Sequence, residues 1–410
     1  MYFLIKFIFY IIFLINSILC YDPPPRTYHN SVIINDRLII IGGDKPVTEV
    51  PGGTYELIYL DLSKSFDNTN LSWNLVHEGD LPISTWSSTA IVSLDNSTIF
   101  LIGGMFDKNT HDYVSNPVYT YNYLNSKWTK PSITGDSVPI RQRMTGVIDD
   151  SGIIYIFGGY NFTTFGEVYN EMNTLDTSSM TWKTLSIINN LPPLSNGYSA
   201  SILPNGIIVY FGGLDGNVTL APMKNVSNNL SIIFNSKNAT GNDVDSRWLF
   251  ASVLTPDGHI IIFGGCDLNY ISVSPKLAIL NTNKSPYEWS IPSSSEINSP
   301  PSIYGHTANL YYNYMIITFG YDADTNYVIY NSTVYLYDIT NNTWVTRFNP
   351  PPPPSPSPSP STPTSTPSPH SPKFLKPLLI GLGAIGVLIC IAIFVFYKKR
   401  NEILKIAGSN

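Results

Sequence analysis

Cysteine is scarce in this sequence, with three residues among 410. Cys20 ends an apolar N-terminal run and Cys390 lies in an apolar C-terminal run, so Cys266 is the single thiol between them. No disulfide can form within that central part, and its fold must rest on a hydrophobic core, which a segment of this length can bury. Cys266 directly follows Gly265, and we expect a packed thiol rather than a reactive one.

Charged residues are also few, at 13% of the chain, and they are unevenly distributed. Residues 21–349 hold 16 Lys and Arg against 28 Asp and Glu, a net charge of −12. Affinity for nucleic acid comes mostly from basic side chains that neutralise phosphates. This balance therefore excludes a nucleic-acid partner.

Motifs of known catalytic chemistry are missing. The sequence contains no His-Glu-x-x-His, no Gly-x-Ser-x-Gly, no P-loop and no Ser-x-Asp-x-Gly-x-Thr-Trp box. The carboxylates Asp149, Asp150, Asp243 and Asp245 lie beside turns, where solvated residues are expected. Residues 381–386 match the dinucleotide fingerprint, but no strand precedes them and they lie in an apolar run. We predict that the chain is not an enzyme and holds neither a metal nor a cofactor.

The N-terminus has the pattern of a secretory signal. Residues 1–20 carry one charge, Lys6, within an otherwise apolar run that gives way to YDPPPR. This composition predicts a signal peptide cut near Cys20, with an uncleaved anchor as the alternative.

The C-terminal region predicts a membrane anchor. Residues 350–377 are rich in Pro, Ser and Thr, which is typical of an extended stalk. The uncharged segment 378–397 spans about 30 Å as a helix, the thickness of a bilayer core. The basic tail 398–410 follows at once, so we predict a single-pass type I protein with residues 21–349 at the cell surface or in the secretory pathway.

Ten Asn-x-Ser/Thr sequons lie between these two ends. As a set they agree with a glycosylated luminal or extracellular region. Asn283 is disfavoured because Pro286 follows its acceptor serine. The predicted glycosylation sites are Asn70, Asn96, Asn161, Asn217, Asn225, Asn229, Asn238, Asn331 and Asn341.

A run of β-branched and aromatic residues that ends in two glycines occurs five times, as in GIIYIFGGY. YMIITFGYD is a sixth copy, in which Tyr321 is interpreted as replacing the second glycine. The copies are 52 to 61 residues apart, which is typical of a repeat array. The glycines are Gly42, Gly43, Gly103, Gly104, Gly158, Gly159, Gly212, Gly213, Gly264, Gly265 and Gly320.

A tryptophan follows the glycines by 24 to 31 residues in five repeats. Repeat four has LSIIFN instead, and repeat one is lengthened by SKSFDNTNL. Two strands joined by a tight turn precede each glycine pair, so each repeat predicts four short antiparallel strands. The tryptophans are Trp73, Trp128, Trp182, Trp289 and Trp344.

This order of strands, Gly-Gly, Tyr, Asp and Trp is similar to the kelch repeat, and the resemblance covers residues 26–347. It implies an all-β fold, a six-bladed kelch-type β-propeller with four-stranded blades. Kelch rings are often closed by a terminal strand that joins the last blade, but only residues 21–25 precede the first repeat. We therefore expect closure by packing between blades, or a loose junction between repeats one and six.

The resemblance favours a binding role, because kelch propellers mostly resemble interaction platforms. The loops after the glycine pairs vary most, for instance residues 44–55, 105–117 and 160–171. Variable loops on a rigid scaffold are where recognition usually lies. We predict a membrane-anchored module that binds an unknown protein or glycan, or acts in adhesion. A signalling co-receptor that works through a partner is one alternative.

A copper-dependent carbohydrate oxidase is the other alternative, because the repeats are also similar to the central domain of galactose oxidase. That resemblance implies a copper site of two tyrosines, two histidines and a cysteine. Tyr28, His29, Tyr304, His306 and Cys266 are the matching candidates. Both histidines fall in one slot of their repeats, so we interpret them as repeat positions. The other repeats are expected to hold Ser88, Met144, Tyr198 and Leu249 in that slot.

Overall fold

The computed structural model describes most of the repeat region. The described residues are 21–46, 52–76, 81–106, 118–161, 168–186, 195–215, 225–230, 233–325 and 329–351. They belong to one compact unit, residues 1–352. The predicted signal peptide, nearly all of the stalk, the membrane segment and the tail lie outside the described residues.

The first three repeats supply eighteen strands. Repeat one contains β1 (Asn30–Ile34), β2 (Arg37–Ile41), β3 (Asp44–Lys45), β4 (Gly52–Gly53), β5 (Leu57–Asp61), β6 (Phe66–Asp67) and β7 (Trp73–Leu75). Repeat two contains β8 (Thr85–Trp86), β9 (Thr89–Val92), β10 (Thr98–Ile102), β11 (Met105–Phe106), β12 (Val118–Asn122) and β13 (Lys127–Thr129). Repeat three contains β14 (Thr134–Gly135), β15 (Val147–Ile148), β16 (Ile153–Phe157), β17 (Met172–Asp176) and β18 (Thr181–Leu185).

The last three repeats supply the remaining strands of the described chain. Repeat four contains β19 (Ser199–Ile202), β20 (Ile208–Phe211), β21 (Asn225–Leu230) and β22 (Ile233–Asn238). Repeat five contains β23 (Thr240–Gly241), β24 (Ala251–Leu254), β25 (His259–Phe263), β26 (Leu277–Asn281) and β27 (Glu288–Ser290). Repeat six contains β28 (Ile303–Tyr304), β29 (Thr307–Tyr311), β30 (Tyr314–Thr318), β31 (Tyr321–Asp322), β32 (Val334–Asp338), β33 (Thr343–Val345) and β34 (Arg347–Phe348).

Six sheets of four or five strands follow one another along the chain, one from each repeat. Sheets 1, 2, 4 and 6 have the orders β1-β2-β5-β7, β9-β10-β12-β13, β19-β20-β21-β22 and β29-β30-β32-β33. Sheet 3, β15-β16-β17-β18, and sheet 5, β24-β25-β26-β27, each add a fifth, parallel strand at the outer edge, β14 and β23. The all-β propeller is confirmed. Within the described ranges no helix is long and apolar enough to cross a membrane.

The core lies between neighbouring sheets, which explains why the second strand of each sheet is apolar on both faces. In β2, for example, Leu38 to Ile41 are all buried. One apolar cluster joins sheets 1 and 2, another joins sheets 5 and 6, and a third joins sheets 6 and 1 through Leu38 and Ile316. A single four-stranded sheet cannot cover both of its faces, so each sheet depends on both neighbours.

A ring of six backbone hydrogen bonds surrounds the central axis just before the innermost strands. We call its members the axis ring: Tyr28, Ser87, Arg143, Gly197, Leu249 and Gly305. Each N–H donates to the carbonyl oxygen of the preceding member at 2.7 to 2.9 Å, and Tyr28 donates to Gly305. All six residues have positive φ. The ring therefore closes through sheets 6 and 1.

The glycine pairs form the junctions between sheets. The N–H of each second glycine donates to a carbonyl oxygen of the next sheet, as Gly43 does to Thr85 at 2.9 Å and Gly265 does to Ile303 at 2.8 Å. Gly42 has φ +61, and a Cβ built on it would lie 2.4 Å from the Thr85 carbonyl oxygen. Only glycine allows this approach without displacement of backbone.

In sheet 6 the non-glycine residue lies two positions earlier than predicted, at Phe319 rather than Tyr321, because the repeat is shifted by one residue from the predicted alignment. Gly320 donates to the Arg26 carbonyl oxygen at 2.9 Å, which is the second-glycine contact. Phe319, with φ +55, therefore occupies the first-glycine position, and the predicted exchange at Tyr321 is wrong. A non-glycine residue in this conformation costs about 1 to 2 kcal/mol. The Phe319 ring is fully buried and packs 5.7 Å from the Trp73 ring, which offsets that cost.

Repeats one and six are joined by a pair of short strands, so the expected loose junction is wrong. β34 pairs with β6, which lies inside the SKSFDNTNL insertion of repeat one. The rings of Phe66 and Phe348 stack at 4.8 Å, and the Asn68 N–H donates to the Thr346 carbonyl oxygen at 2.8 Å. Closure thus combines packing between sheets with a clasp formed by β6 and β34.

The five tryptophans occupy one register position on the outer strands. Their cross-strand partners on the third strands are Leu60, Tyr121, Leu175, Leu280 and Tyr337. In sheet 4 the backbone register places Phe234 opposite Asn229 at the equivalent position. Repeat four thus keeps the strand pairing without the tryptophan.

Candidate binding face at the glycine end

The two ends of the ring differ in their connections. At the hairpin end, short connections join the first strand to the second and the third to the fourth, as in β1 to β2 and β32 to β33, except where the SKSFDNTNL insertion separates β5 from β7. At the glycine end, a longer connection joins the second strand of each sheet to the third. The predicted variable loops 44–55, 105–117 and 160–171 all start at the glycine end, and parts of each lie outside the described residues.

Large and small residues alternate around the axis ring. Tyr28, Arg143 and Leu249 come from sheets 1, 3 and 5. The other three members, from sheets 2, 4 and 6, are serine or glycine. Interior positions of closed β structures often alternate in this way, because adjacent large side chains would overfill the taper.

Arg143 is the charged member of the axis ring. Its guanidinium carbon lies 5.2 Å from the ring centroid of Trp248 and 5.7 Å from that of Tyr28. Its Nε is buried and has no hydrogen-bond partner among the described residues, and none of the described carboxylates forms an ion pair with it. A half-buried guanidinium between aromatic rings can donate hydrogen bonds to an acceptor group of a ligand.

Five aromatic rings form a continuous strip across sheets 5 and 6. Along this aromatic strip, successive ring centroids are 5.5, 5.5, 5.2 and 4.5 Å apart. Burial raises the pKa of the Tyr304 and Tyr321 hydroxyls well above the ordinary value, so both remain neutral. The strip runs through Trp248, Tyr270, Tyr304, Tyr321 and Tyr330.

Asp44 ends the strip at sheet 1. The hydroxyls of Tyr330 and Tyr321 donate to its Oδ2 at 3.1 and 3.5 Å. Its Oδ1 is buried without a partner among the described residues. Burial raises the pKa of this carboxyl, and the two tyrosine hydrogen bonds only partly oppose that effect. The strip is thus anchored by polar contacts at its sheet 1 end.

Cys266 is buried within the strip, as expected for a packed thiol. Its Sγ lies 4.0 Å from the Trp248 carbonyl oxygen, and it belongs to the same apolar cluster as Tyr304 and Tyr321. Burial raises the pKa of the thiol well above its ordinary value, which keeps it protonated and unreactive.

Among the described residues, the two histidines that are candidate copper ligands share no hydrogen-bond partner. His29 Nε2 contacts the hydroxyls of Thr307 at 2.8 Å and Thr318 at 3.0 Å. His306 is buried beside Phe263, and burial lowers its pKa to about 3. Throughout the described ranges, no three His, Cys, Asp or Glu side chains are grouped so that they could hold a metal ion.

The slot shared by the histidines needs one correction. Leu249 is a member of the axis ring, and the residue after each ring member fills the slot. In repeat five that residue is Phe250, whose Cβ lies beside Gly265 as the Cβ of His306 lies beside Gly320. The predicted assignment of Leu249 to the slot is therefore wrong by one residue.

Three buried arginines form hydrogen bonds at the glycine end, and the sequence analysis did not predict this role for them. Arg26, Arg141 and Arg247 each donate through Nη1 to the carbonyl oxygen of the first glycine of the same sheet, at 3.1, 3.0 and 2.9 Å. Arg26 also pairs with Glu56 at 2.5 Å, and Arg141 pairs with Glu171 at 3.4 Å. The signal was available, because each arginine precedes an axis-ring residue by two positions.

The chain resembles known Kelch-repeat proteins. Residues 28–227 match the family profile described as the KLHDC2/KLHL20/DRC7 Kelch-repeats domain. Kelch domain-containing protein 3 of Rattus norvegicus is 26% identical over 203 residues, covering 47% of this chain and 50% of that protein. Host cell factor 1 of Rattus norvegicus is 22% identical over 214 residues, covering 46% of this chain and 10% of that protein.

The chain thus spans about half the length of the Kelch domain-containing protein 3 relatives it matches. The solved structure described as "Structure of YjhT" aligns with a TM-score of 0.59 at 14% identity, over 80% of this chain and 99% of that one. That likeness concerns the fold alone. This protein is therefore a β-propeller whose residues 28–227 match a Kelch-repeat profile, and over about half of its length it is similar to Kelch-repeat proteins.

Proposed function

We propose that the chain is a six-bladed Kelch propeller that binds a protein or glycan ligand at its glycine end and has no catalytic role. The similarity to Kelch-repeat proteins supports protein binding. The observation that carries the proposal is the Arg143 guanidinium, which stands at the axis between two aromatic rings and forms no ion pair with a described residue.

The physical argument rests on the cost of desolvation. A partly buried cation loses hydration, and that loss is normally offset by a carboxylate or by several acceptors. Arg141, two residues earlier, has such partners in Glu171 and the Gly158 carbonyl oxygen. Arg143 has only ring faces in the described chain, so a ligand acceptor would complete its surroundings.

Arg37 provides a matched control at the hairpin end. Its guanidinium carbon also lies over two rings, 4.3 Å from the centroid of Tyr59 and 5.7 Å from that of Tyr123. Arg37 is exposed to solvent, so it can be hydrated without a ligand. The two arginines therefore share a stacking geometry and differ in which end of the ring they occupy.

The test is a binding screen of the full-length chain purified in detergent, against a glycan array and a peptide array. We expect Arg143→Ala to weaken each detected interaction about tenfold or more, as loss of a buried charge-assisted contact does. Arg37→Ala should leave it unchanged. Equal effects of the two variants, or no ligand on either array, would contradict the proposed function.

We propose further that the propeller is held outside the cell by a type I anchor and carries N-linked glycans at its hairpin end. The support is the apolar run 378–397 with its basic tail, together with the placement of the described sequons. Asn70, Asn96 and Asn341 are exposed and lie in hairpin-end turns. Glycans there would leave the glycine end free for a ligand.

Sequons at the glycine end are less suitable as acceptors. Asn331 is half-buried, and its amide donates to the Tyr335 hydroxyl at 2.8 Å while accepting from the Thr333 N–H at 2.7 Å. Asn161 is half-buried as well. Glycosidase treatment of the full-length chain should shift its gel mobility, and site mapping should find Asn70, Asn96 and Asn341 occupied. An absent shift would contradict the extracellular placement.

A further inference from the structure

Exposed apolar side chains concentrate on two neighbouring loops of the glycine end. Residues 266–275 of sheet 5 and residues 321–325 and 329–330 of sheet 6 contain four of the ten large apolar side chains that are exposed in the described part of the chain. An exposed apolar patch of this kind is typical of an interaction site. We call these four the loop patch: Leu268 at 44% exposure, Tyr270 at 43%, Ile271 at 51% and Ile329 at 46%.

Hydrogen bonds hold the turn that carries three of the four loop-patch residues. Asp267 Oδ1 accepts from the N–H groups of Asn269 at 2.8 Å and Ile271 at 2.9 Å, which fixes the turn that presents Tyr270. The Ser272 N–H donates to the Ala323 carbonyl oxygen at 3.2 Å and joins the two loops. A pre-ordered surface loses less conformational entropy on binding than a flexible one.

The aromatic strip forms the floor beneath the loop patch. The Trp248 indole N–H donates to the Asp267 carbonyl oxygen at 3.0 Å, and the Trp248 and Tyr270 rings pack at 5.5 Å. Tyr270 is therefore an exposed ring supported by buried ones. Rigid Tyr and Trp side chains next to an apolar surface are the residues that dominate binding energy at protein interfaces.

The edge of the loop patch is acidic. Asp267 and Asp322 lie in the two loops and form no ion pair with any described residue. Neither loop sequence contains Lys or Arg, and Lys276, directly after the first loop, pairs with Asp324 at 3.0 Å. The edge therefore favours positively charged groups on a partner.

We propose that the loop patch binds a protein segment that places an aliphatic or aromatic side chain on the patch and lysine or arginine side chains against Asp267 and Asp322. The proposal rests on the proposed binding function and names the chemistry of its partner. A sugar ring could stack on Tyr270, but Leu268, Ile271 and Ile329 offer its hydroxyl groups no hydrogen-bonding side chain. The composition therefore favours a protein segment.

Three fluorescent ten-residue peptides test the partner chemistry on the full-length chain. The first carries Trp flanked by Lys, the second Trp flanked by Glu, and the third Gly flanked by Lys. We expect the first to bind at least about tenfold more tightly than either of the others. Only this peptide combines an apolar side chain for the patch with positive charges that attract the carboxylates. Equal binding of the Glu-flanked peptide would overturn the charge assignment, and equal binding of the Gly peptide would overturn the apolar anchor.

Tyr270→Asn tests the position, and Tyr312→Asn is its matched control. Both tyrosines are exposed, at 43% and 59%, and both have positive φ, +62 and +52, which Asn tolerates. Tyr312 lies in the β29 to β30 turn at the hairpin end. We expect Tyr270→Asn to weaken the Lys-flanked Trp peptide about tenfold and Tyr312→Asn to leave it within about twofold.

Asp322→Asn isolates the charge. Asn keeps an acceptor for the Asp324 N–H, which donates to Asp322 Oδ1 at 2.8 Å, so the loop should keep its shape. The affinity for the Lys-flanked Trp peptide should fall about threefold and become less dependent on salt. An unchanged affinity would overturn the role of this carboxylate.

The remaining outcomes separate this proposal from the proposed function. If Arg143→Ala abolishes binding of an array ligand while Tyr270→Asn does not affect any ligand, the glycine end binds but the loop patch does not. If Tyr270→Asn abolishes binding of a glycan and no peptide binds, the partner is a glycan and the protein assignment is wrong. If no peptide binds at all, the proposal is overturned.

Discussion

The odd-numbered sheets and the even-numbered sheets of this ring are built differently. Sheets 1, 3 and 5 begin with a buried arginine that binds the carbonyl oxygen of its own first glycine. At the equivalent positions, sheets 2, 4 and 6 have the smaller or uncharged residues Thr85, Ser195 and Ile303. The axis ring alternates in the same order, with large members in odd sheets and serine or glycine in even ones.

This alternation shows that the structural unit is a pair of sheets. The arginines recur roughly every two repeats, whereas the glycine pairs recur in each of the first five repeats. The physical reason is space. Neighbouring sheets converge toward the axis, and six large side chains could not all pack around the axis ring, so large residues from one sheet fill the space left by small ones from the next.

Removal of an odd-sheet arginine should have the largest effect. Arg247 is fully buried and donates to three carbonyl oxygens, those of Gly264, Asp245 and Ser274. Burial lowers its pKa to about 10, so it stays charged at neutral pH. Arg247→Met should reduce the free energy of unfolding by about 3 to 5 kcal/mol, because these acceptors lose their donors. Denaturant unfolding followed by tryptophan fluorescence measures it.

Ser195→Ala in sheet 4 is the even-sheet control for that variant. The Ser195 hydroxyl donates to the Gly212 carbonyl oxygen at 3.4 Å, which is the equivalent contact in a weaker form. We expect a loss of about 1 kcal/mol or less. Similar losses for the two variants would show that the odd and even sheets do not differ energetically.

Substitutions in the clasp formed by β6 and β34 test the junction between sheet 6 and sheet 1. Phe348 is fully buried and stacks on Phe66. Phe348→Ala should destabilise the fold by about 3 kcal/mol through lost burial and a cavity. Phe66→Ala should cost less because Phe66 is half-buried, and the double variant should cost less than the sum of the two. Additive losses would indicate that the two rings do not act together.

Low pH should destabilise the fold through the buried histidine His306. His306 has a pKa lowered to about 3 by burial, against about 6.5 when unfolded. Between these values the unfolded chain binds more protons, so stability is lost as pH falls below about 6.5, by up to about 1.4 kcal/mol per pH unit. His306→Phe, which copies Phe250 of sheet 5, should reduce the difference in unfolding free energy between pH 7 and pH 5 by about 2 kcal/mol.

His29 remains in that variant and sets the residual pH dependence. Its pKa is also lowered by burial, so a part of the acid sensitivity should persist. A variant with the full pH dependence of the parent chain would contradict the assignment to His306.

The smallest effect is expected at Thr85, where an even sheet keeps a polar residue in the arginine position. Its hydroxyl is buried and has no hydrogen-bond partner in the described part of the chain. Thr85→Val keeps the shape and removes the unpaired group, so stability should stay the same or rise by about 1 kcal/mol. Thr27→Val should instead lose about 1 kcal/mol, because the Thr27 hydroxyl donates to the Gly305 carbonyl oxygen at 3.0 Å. Melting temperatures of both variants would decide the matter.

Much of the fold could be predicted because the motifs that define it are local in the sequence. A glycine pair, a tight turn and a tryptophan each reflect a short-range requirement of φ or of strand geometry, and their spacing revealed the repeats. Registers were less certain. The glycine positions of repeat six and the slot residue of repeat five were each predicted one residue away from their places in the structure, because a degenerate repeat can be aligned in two ways until its hydrogen bonds are known.

The candidate site was harder to predict than the fold. The pairing of β6 with β34 joins segments more than 270 residues apart in the chain, and no local pattern marks it. Arg143 and Tyr270 look like ordinary loop residues in the sequence. Their importance depends on neighbours supplied by other repeats, such as Trp248 for Arg143 and Tyr304 for Tyr270.

The sequence by itself determined that this protein is a repeat array of four-stranded β units, since strand propensity and turn chemistry act over a few residues. Only the tertiary structure decided how the ring closes, which residues line its axis and where apolar side chains remain exposed. Those features arise when surfaces of distant repeats meet, and packing between them depends on shapes and distances that one-dimensional spacing does not contain.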